Sequence, residues 1–176
     1  MTRLFKNASF FYFITLFVAY SFAESQIIID EDFEKGYKNW NVHKTEGSFK
    51  VISTDSGKVL KITRRSINGD NSTMLIHPLP RDLVAGKHIY VEVKVKAEDI
   101  EAGNESYHGG HIDFEIRTAK STQYKASDIF LGPFDWEKMT LEFDMPEDAK
   151  MINFRIGLQG AKGTVYFDDV KVHIIE

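Results

Sequence analysis

"GTVYFDDVKV", residues 163–172, reads as a β-strand with two aspartates side by side in its middle. Val165 and Phe167 share one parity, whereas Val170 and Val172 share the other. Alternation does not flip within a regular half-buried strand, because side chains point to opposite faces with a period of two. The flip falls on Asp168-Asp169. It calls either for a β-bulge there, which adds one residue and re-aims the side chains, or for burial on both faces.

The rest of the chain repeats the same grammar. Segments 27–34, 47–54, 58–65 and 73–79 are short and rich in β-branched or aromatic residues. In 88–98, Ile89, Val91, Val93 and Val95 alternate with Tyr90, Glu92, Lys94 and Lys96. In 111–118, Ile112, Phe114 and Ile116 alternate with His111, Asp113, Glu115 and Arg117. Segments 138–145 and 151–159 continue with Met139, Leu141, Phe143 and with Ile152, Phe154, Ile156, Leu158. Period-two patterns separated by turn residues such as Asp55-Ser56-Gly57, Gly109-Gly110 and Gly132-Pro133 predict strands. Only 145–150 suggests a helical turn. Strands with one apolar face must pair into two facing sheets, so the expected fold is all-β, a two-sheet jelly-roll sandwich.

Residues 1–23 stand apart. Arg3 and Lys6 precede an apolar run from Phe10 to Phe22, and Ala23 follows. This is the pattern of a secretory signal peptide. The apolar run is shorter than the roughly 20 residues of a spanning helix. One domain, 24–176, is expected beyond it, in a secreted protein, periplasmic or extracellular, with no membrane span after cleavage. The chain has no cysteine, so an ordinary core must hold it. A net charge of −4 without a basic run disfavours nucleic acid as a partner.

The order "DFEKGYKNW", "SGKVLKI", "VAGKHIYVEVKVKAED", "FDWEKMTLEF", "MPEDAKMINFRIGL", "GTVYFDDVKV" resembles the jelly-roll carbohydrate-binding modules of families 4, 9 and 22, a galactose-binding-like sandwich. The resemblance covers essentially all of 24–176. It implies a structural calcium ion where the first strand meets the last. The matching positions are Asp32 through its carbonyl, Glu34, Asp55, the Lys58 carbonyl and Asp168, with Asp169 turned to solvent. Calcium takes six to eight oxygen ligands, and converging carboxylates repel without a cation.

The resemblance also implies a ligand face built by the strands at 111–118 and 151–159. Their polar rows hold His111, Asp113, Glu115, Arg117, Asn153 and Arg155. Asp113, Glu115 and Arg117 are same-face neighbours about 6.6 Å apart along the strand, and each is a planar bidentate partner for vicinal sugar hydroxyls. Tyr124, Tyr107 and His108 are candidate platforms for the apolar face of a sugar ring, with Tyr90 a lesser one. The stretch 68–73, NGDNST, lacks the aromatic that the family's better-known cleft binders carry before the next strand. Arg117 and Arg155 suggest an acidic or substituted glycan instead. Trp40 and Trp136 are expected in core or rim packing.

The strand "HIDFE" matches the last two acids of the Glu-x-Asp-x-Glu strand of certain retaining glucanases, but His111 stands where the nucleophile belongs. No nucleophile elbow, P-loop or zinc pair is present. The expectation is a non-catalytic, calcium-stabilised protein recognising a poly- or oligosaccharide, which leaves three roles open: delivering or scavenging glycan, sitting in a cell envelope, or working with a separately encoded glycosidase. The alternatives are an envelope or extracellular protein-interaction sandwich without a sugar site, then a glycoside hydrolase or a polysaccharide lyase using His111 or Tyr124 as base.

Overall fold

The computed structural model describes residues 25–69 and 71–175. Its strands are β1 (Ser25–Glu31), β2 (Asn41–Lys44), β3 (Ser48–Thr54), β4 (Gly57–Arg64) and β5 (Ser72–Pro78). After a one-turn helix, α1 (Arg81–Val84), come β6 (His88–Ala102), β7 (Gly109–Arg117), β8 (Thr122–Ala126), β9 (Phe134–Asp144), β10 (Met151–Gln159) and β11 (Ala161–Ile175). They form two antiparallel sheets. One has the order β3-β4-β11-β6-β9, with β1 also on β11, and the other has the order β2-β5-β10-β7-β8. The signal peptide expected over 1–23 lies outside the described residues. Among those described, no helix is long and apolar enough to cross a membrane. The segment 145–150 holds a turn, closed by Ala149 N–H on the Pro146 carbonyl, rather than a helix.

The aspartate pair is a bulge. Against β6, Asp168 faces Lys94 but Lys171 faces Glu92, so three steps on β11 answer two on its neighbour. Asp169 absorbs the extra residue at φ 46°. Val165 and Phe167 before the bulge, and Val170, Val172 and Ile174 after it, all stay buried. The bulge is also where β11 changes partner. Up to Phe167 it pairs with β4, and from Val170 it pairs with β1. One long strand thereby joins both ends of the domain.

The two sheets meet through their apolar rows. Val91, Val93, Val95, Leu60, Ile62 and Phe167 of the six-stranded sheet face Ile112, Ile116, Phe154, Ile156 and Leu158 of the other. Phe114 bridges them, 5.0 Å from both the Phe143 and Phe154 rings. Such burial of β-branched and aromatic side chains drives the folding of a sandwich. Trp40 lies in the core beside Phe154, and its indole N–H donates to Glu31 at 3.2 Å. Trp136 sits on the rim, partly exposed against Tyr166.

Candidate functional site

The apolar residues of β7 and β10 are claimed by the core, so their alternate residues must face outward. Register then decides which of these meet. Asp113 stands directly opposite Arg155, and Glu115 opposite Asn153, across the β7–β10 pair. Glu115 faces Tyr124 across β7–β8. The expected row is therefore a patch on one sheet face.

A groove of about 540 Å³ opens there, lined by Tyr107, His111, Asp113, Tyr124, Ile129 and Arg155, with Ala126, Ser127 and Gln159 at its edges. Its floor is a charge network. Arg155 Nε and Nη2 donate to the two Asp113 carboxylate oxygens at 2.6 and 3.0 Å. The Asp113 side chain is only 3% exposed, so a full charge is held out of water by a bidentate partner. Burial works against the Arg155 charge, but its bonds and attraction to Asp113 raise its pKa above the ordinary value.

His111 is buried beside this pair. Its Nε2–H donates to the Tyr107 carbonyl at 2.6 Å, and Nδ1 lies 3.6 Å from Asp113 Oδ2. Burial pushes its pKa down, outweighing the attraction of Asp113 and the bond to Tyr107. Burial favours the neutral ring, and the bond to the Tyr107 carbonyl assigns its proton to Nε2.

Glu115, Arg117 and Asn153 continue the row outside the groove. Arg117 Nε and Nη2 both reach Glu115 Oε1, at 3.1 and 2.9 Å, and Asn153 donates to Oε2 at 3.3 Å. Burial would raise the Glu115 pKa, but these bonds and the two guanidiniums hold it below the ordinary value. Both arginines thus have acids of their own.

The rim is aromatic. The Arg155 guanidinium carbon lies 5.1 Å from the Tyr124 ring centroid, which steadies the ring while 58% of the residue stays exposed. Tyr107 is also exposed, edge-on to buried His108. His108 packs against Gly103 and Gly160 away from the groove lining, and Tyr90 lies on the opposite sheet against His173. Sequence reasoning did not find Ser127, Ile129 and Gln159. Ser127 and Ile129 sit in a loop where no alternation marks them, whereas Gln159 continues the outward row of Asn153 and Arg155 and could have been read from it.

At the β1–β11 junction the expected calcium ligands form two sets. Glu34 Oε1 accepts the Lys58 backbone N–H at 2.6 Å, while the Lys58 ammonium donates to the Glu34 carbonyl at 3.0 Å. Asp168 is half-buried, and its pKa is raised by burial and by the charges of Asp169 and Asp32, against its bond from the Asp169 N–H. Asp169 pairs with Lys94 at 2.5 Å. Asp55 is exposed in the β3–β4 turn. Among the described residues, no three His, Asp or Glu side chains are grouped to hold a metal. The donors that fit a cation best are Asp32 and Asp168, like charges placed near each other.

No protein-family model matches the chain, and no curated protein matches it in sequence. Solved structures do match in fold. The Clostridium thermocellum xylanase 10B CBM22-1–GH10 modules, complexed with xylohexaose, align with TM-score 0.65 at 13% identity over 84% of this chain and 28% of that one. The CBM22-1 xylan-binding domain of Paenibacillus barcinonensis Xyn10C aligns with TM-score 0.61 at 17% identity, over 88% of this chain and 97% of that one. A family 16 carbohydrate-binding module aligns with TM-score 0.60 at 12% identity, over 84% and 99%. The chain spans about a quarter of the xylanase and nearly all of the two isolated modules. It has the jelly-roll fold of the carbohydrate-binding modules.

Proposed function

We propose that the protein is an exported, non-catalytic carbohydrate-binding protein that takes a neutral poly- or oligosaccharide in the groove between Tyr124 and Tyr107. The observation that carries this reading is the pairing of an exposed, braced aromatic ring with a polar, charge-compensated floor. A sugar needs both kinds of surface: an apolar face for its C–H groups and fixed donors and acceptors for its hydroxyls. The compensation of Arg155 by Asp113 and of Arg117 by Glu115 favours an uncharged ligand. A flat, uniformly ion-paired face would suit a protein partner better than a groove does.

Catalysis finds less support. A general acid must keep its proton near neutral pH, and Glu115 is shifted the other way. Asp113 is locked to Arg155. Export rests on the 1–23 pattern, and a separately encoded glycosidase as a working partner rests on the fold analogy alone.

Affinity electrophoresis on xylan and mixed-linkage glucan tests the reading. Wild-type protein is retarded on at least one neutral glycan, and Tyr124→Ala loses most of that retardation. Equal mobility of the two on every retarding glycan overturns it.

We also propose a calcium ion at the β1–β11 junction with Asp32 and Asp168 as its carboxylates; Glu34, Asp55 and the Lys58 carbonyl are the further positions that the resemblance implies. The repulsion that the two aspartates share supports it. Calcium bound to the native state alone raises the melting temperature. A melt unchanged between saturating calcium and EDTA removes the ion from the proposal.

A further inference from the structure

The outward face of the six-stranded sheet carries a second depression, on the opposite side of the sandwich from the groove. It is a trough of about 650 Å³ along β3 and β4, lined by Ser48, Lys50, Ile52, Lys61, Thr63 and Arg65, with Glu46 at one end. Lys50 stands directly opposite Lys61 in the antiparallel register. Like charges opposed across strands cost stability. Elsewhere in this sheet Lys94 also stands opposite Lys138, but there acids compensate the cations. Lys94, Lys96, Lys138 and Lys162 each meet an acid: Asp169, Asp135, Glu92 and Glu101. Lys50 and Arg65 have no ion pair among the described residues, and Lys61 is met only by the Tyr166 ring, 5.2 Å from its ammonium. Glu46 is turned to Ser66 and Asn68.

We infer that this trough is a second ligand site, for an acidic polysaccharide whose sulfate or carboxylate groups neutralise Lys50, Lys61 and Arg65. Ser48 and Thr63 face each other in the same lining; Ser48 adds a hydroxyl beside the cations, while the Thr63 hydroxyl is shared with that of Thr164 at 3.2 Å. Lys61 and Arg65 are four residues apart, about 13 Å along an extended strand. A single small anion cannot bridge that span, whereas an extended chain with repeated anionic groups can. Ile52 offers an apolar patch on the trough wall for the faces of the sugar rings. A net charge of −4 gives the molecule no general attraction for polyanions, so binding must come from a local cluster of cations such as this one. The inference rests on the register of β3 and β4 and not on the groove reading.

The test uses affinity electrophoresis in gels containing dextran sulfate, polygalacturonate or unmodified dextran, with sedimentation on phosphatidylglycerol vesicles alongside. The wild-type protein is retarded by at least one of the two acidic polymers, not by dextran, and the retardation fades as salt rises. Lys50→Gln/Lys61→Gln weakens it by about tenfold or more, since charge-assisted contacts are lost. Tyr124→Ala, in the other groove, leaves it unchanged. Both lysines point outward, and a thermal melt no lower than wild type confirms that the double variant is folded. If that variant melts lower, Lys50→Glu alone replaces it, and the same loss of retardation is expected. No retardation of the wild type by either acidic polymer, equal retardation of folded variant and wild type, or capture by vesicles without capture by polymer overturns the site.

Discussion

Arg155 and Asp113 face each other across β7 and β10 and share two hydrogen bonds, at 2.6 and 3.0 Å, although 42 residues separate them in the chain. Asp113 is nearly sealed from water, and Arg155 side-chain exposure is only 14%. Arg155→Ala leaves a buried carboxylate without its cation. The expected loss is about 3 kcal/mol of unfolding free energy, read by urea denaturation. A loss below about 1 kcal/mol would mean that water reaches Asp113 and that the groove floor is not closed.

Tyr124 separates binding from stability. It is 58% exposed on an edge strand, so Tyr124→Ala changes the unfolding free energy by less than about 0.5 kcal/mol. Glycan affinity falls by roughly five- to tenfold, equivalent to about 1 kcal/mol of stacking. Calorimetric titration with a retarding oligosaccharide reads the second effect and melting reads the first. A large stability loss with intact affinity would place the ring in packing rather than recognition.

His88 clamps the far end of β6 to β9, its Nδ1 2.7 Å from Asp144 and its Nε2 2.8 Å from Glu142. These two bonds raise its pKa, Asp144 foremost. A raised histidine contributes stability that is fully present below the unfolded value near 6.5 and is lost as pH climbs through the folded value. Wild type therefore exceeds His88→Gln in melting temperature at about pH 5.5, and the gap closes at about pH 9. A gap that widens with alkalinity contradicts the clamp. His111 acts with the opposite sign: burial lowers its pKa, so protonating it in acid, below about pH 6.5, weakens the fold.

The bulge makes a substitution test of its own. Asp169 has φ 46°, which a β-branched residue resists. Asp169→Val costs about 1–2 kcal/mol, whereas Asp169→Gly gives up only the exposed pair with Lys94 and stays within about 1 kcal/mol of wild type. Paired urea melts compare the two. Equal losses would locate the effect in the ion pair instead of the backbone.

Gly157 lies on the groove side of β10, with φ +151°. A Cβ there would come within 2.2 Å of the Thr73 carbonyl oxygen and 2.8 Å of the Met74 Cα. Gly157→Ala must push β5 away from β10, at an expected cost of about 2–3 kcal/mol. A wild-type melting temperature for this variant would show that β5 has slack.

Parity made much of this fold legible. The flip between Phe167 and Val170 required an extra residue, and the bulge at Asp168–Asp169 supplies it. Strands with an apolar row, such as 88–98 and 151–159, announced themselves. β8 did not: TQYKA alternates no apolar residue, because it is an edge strand with little to bury. The four residues of β2 are all exposed for the same reason. At the site, the outward rows of β7 and β10 could be read from alternation, but the pairing of Asp113 with Arg155 could not. Register between strands 42 residues apart is a property of the folded sheet, and it decides whether an arginine is free for a ligand or already taken.

β1 runs antiparallel to the last half of β11, with Ser25 set against Ile175 and Glu31 against Val170. Tension applied between Ser25 and Ile175 would load the rungs of this seam one after another instead of all together. The domain is therefore built to peel rather than to resist shear. Anchored to two separating bodies, it would yield first along this edge, and the sheet that forms the groove, which contains neither strand, would be the last to feel the pull.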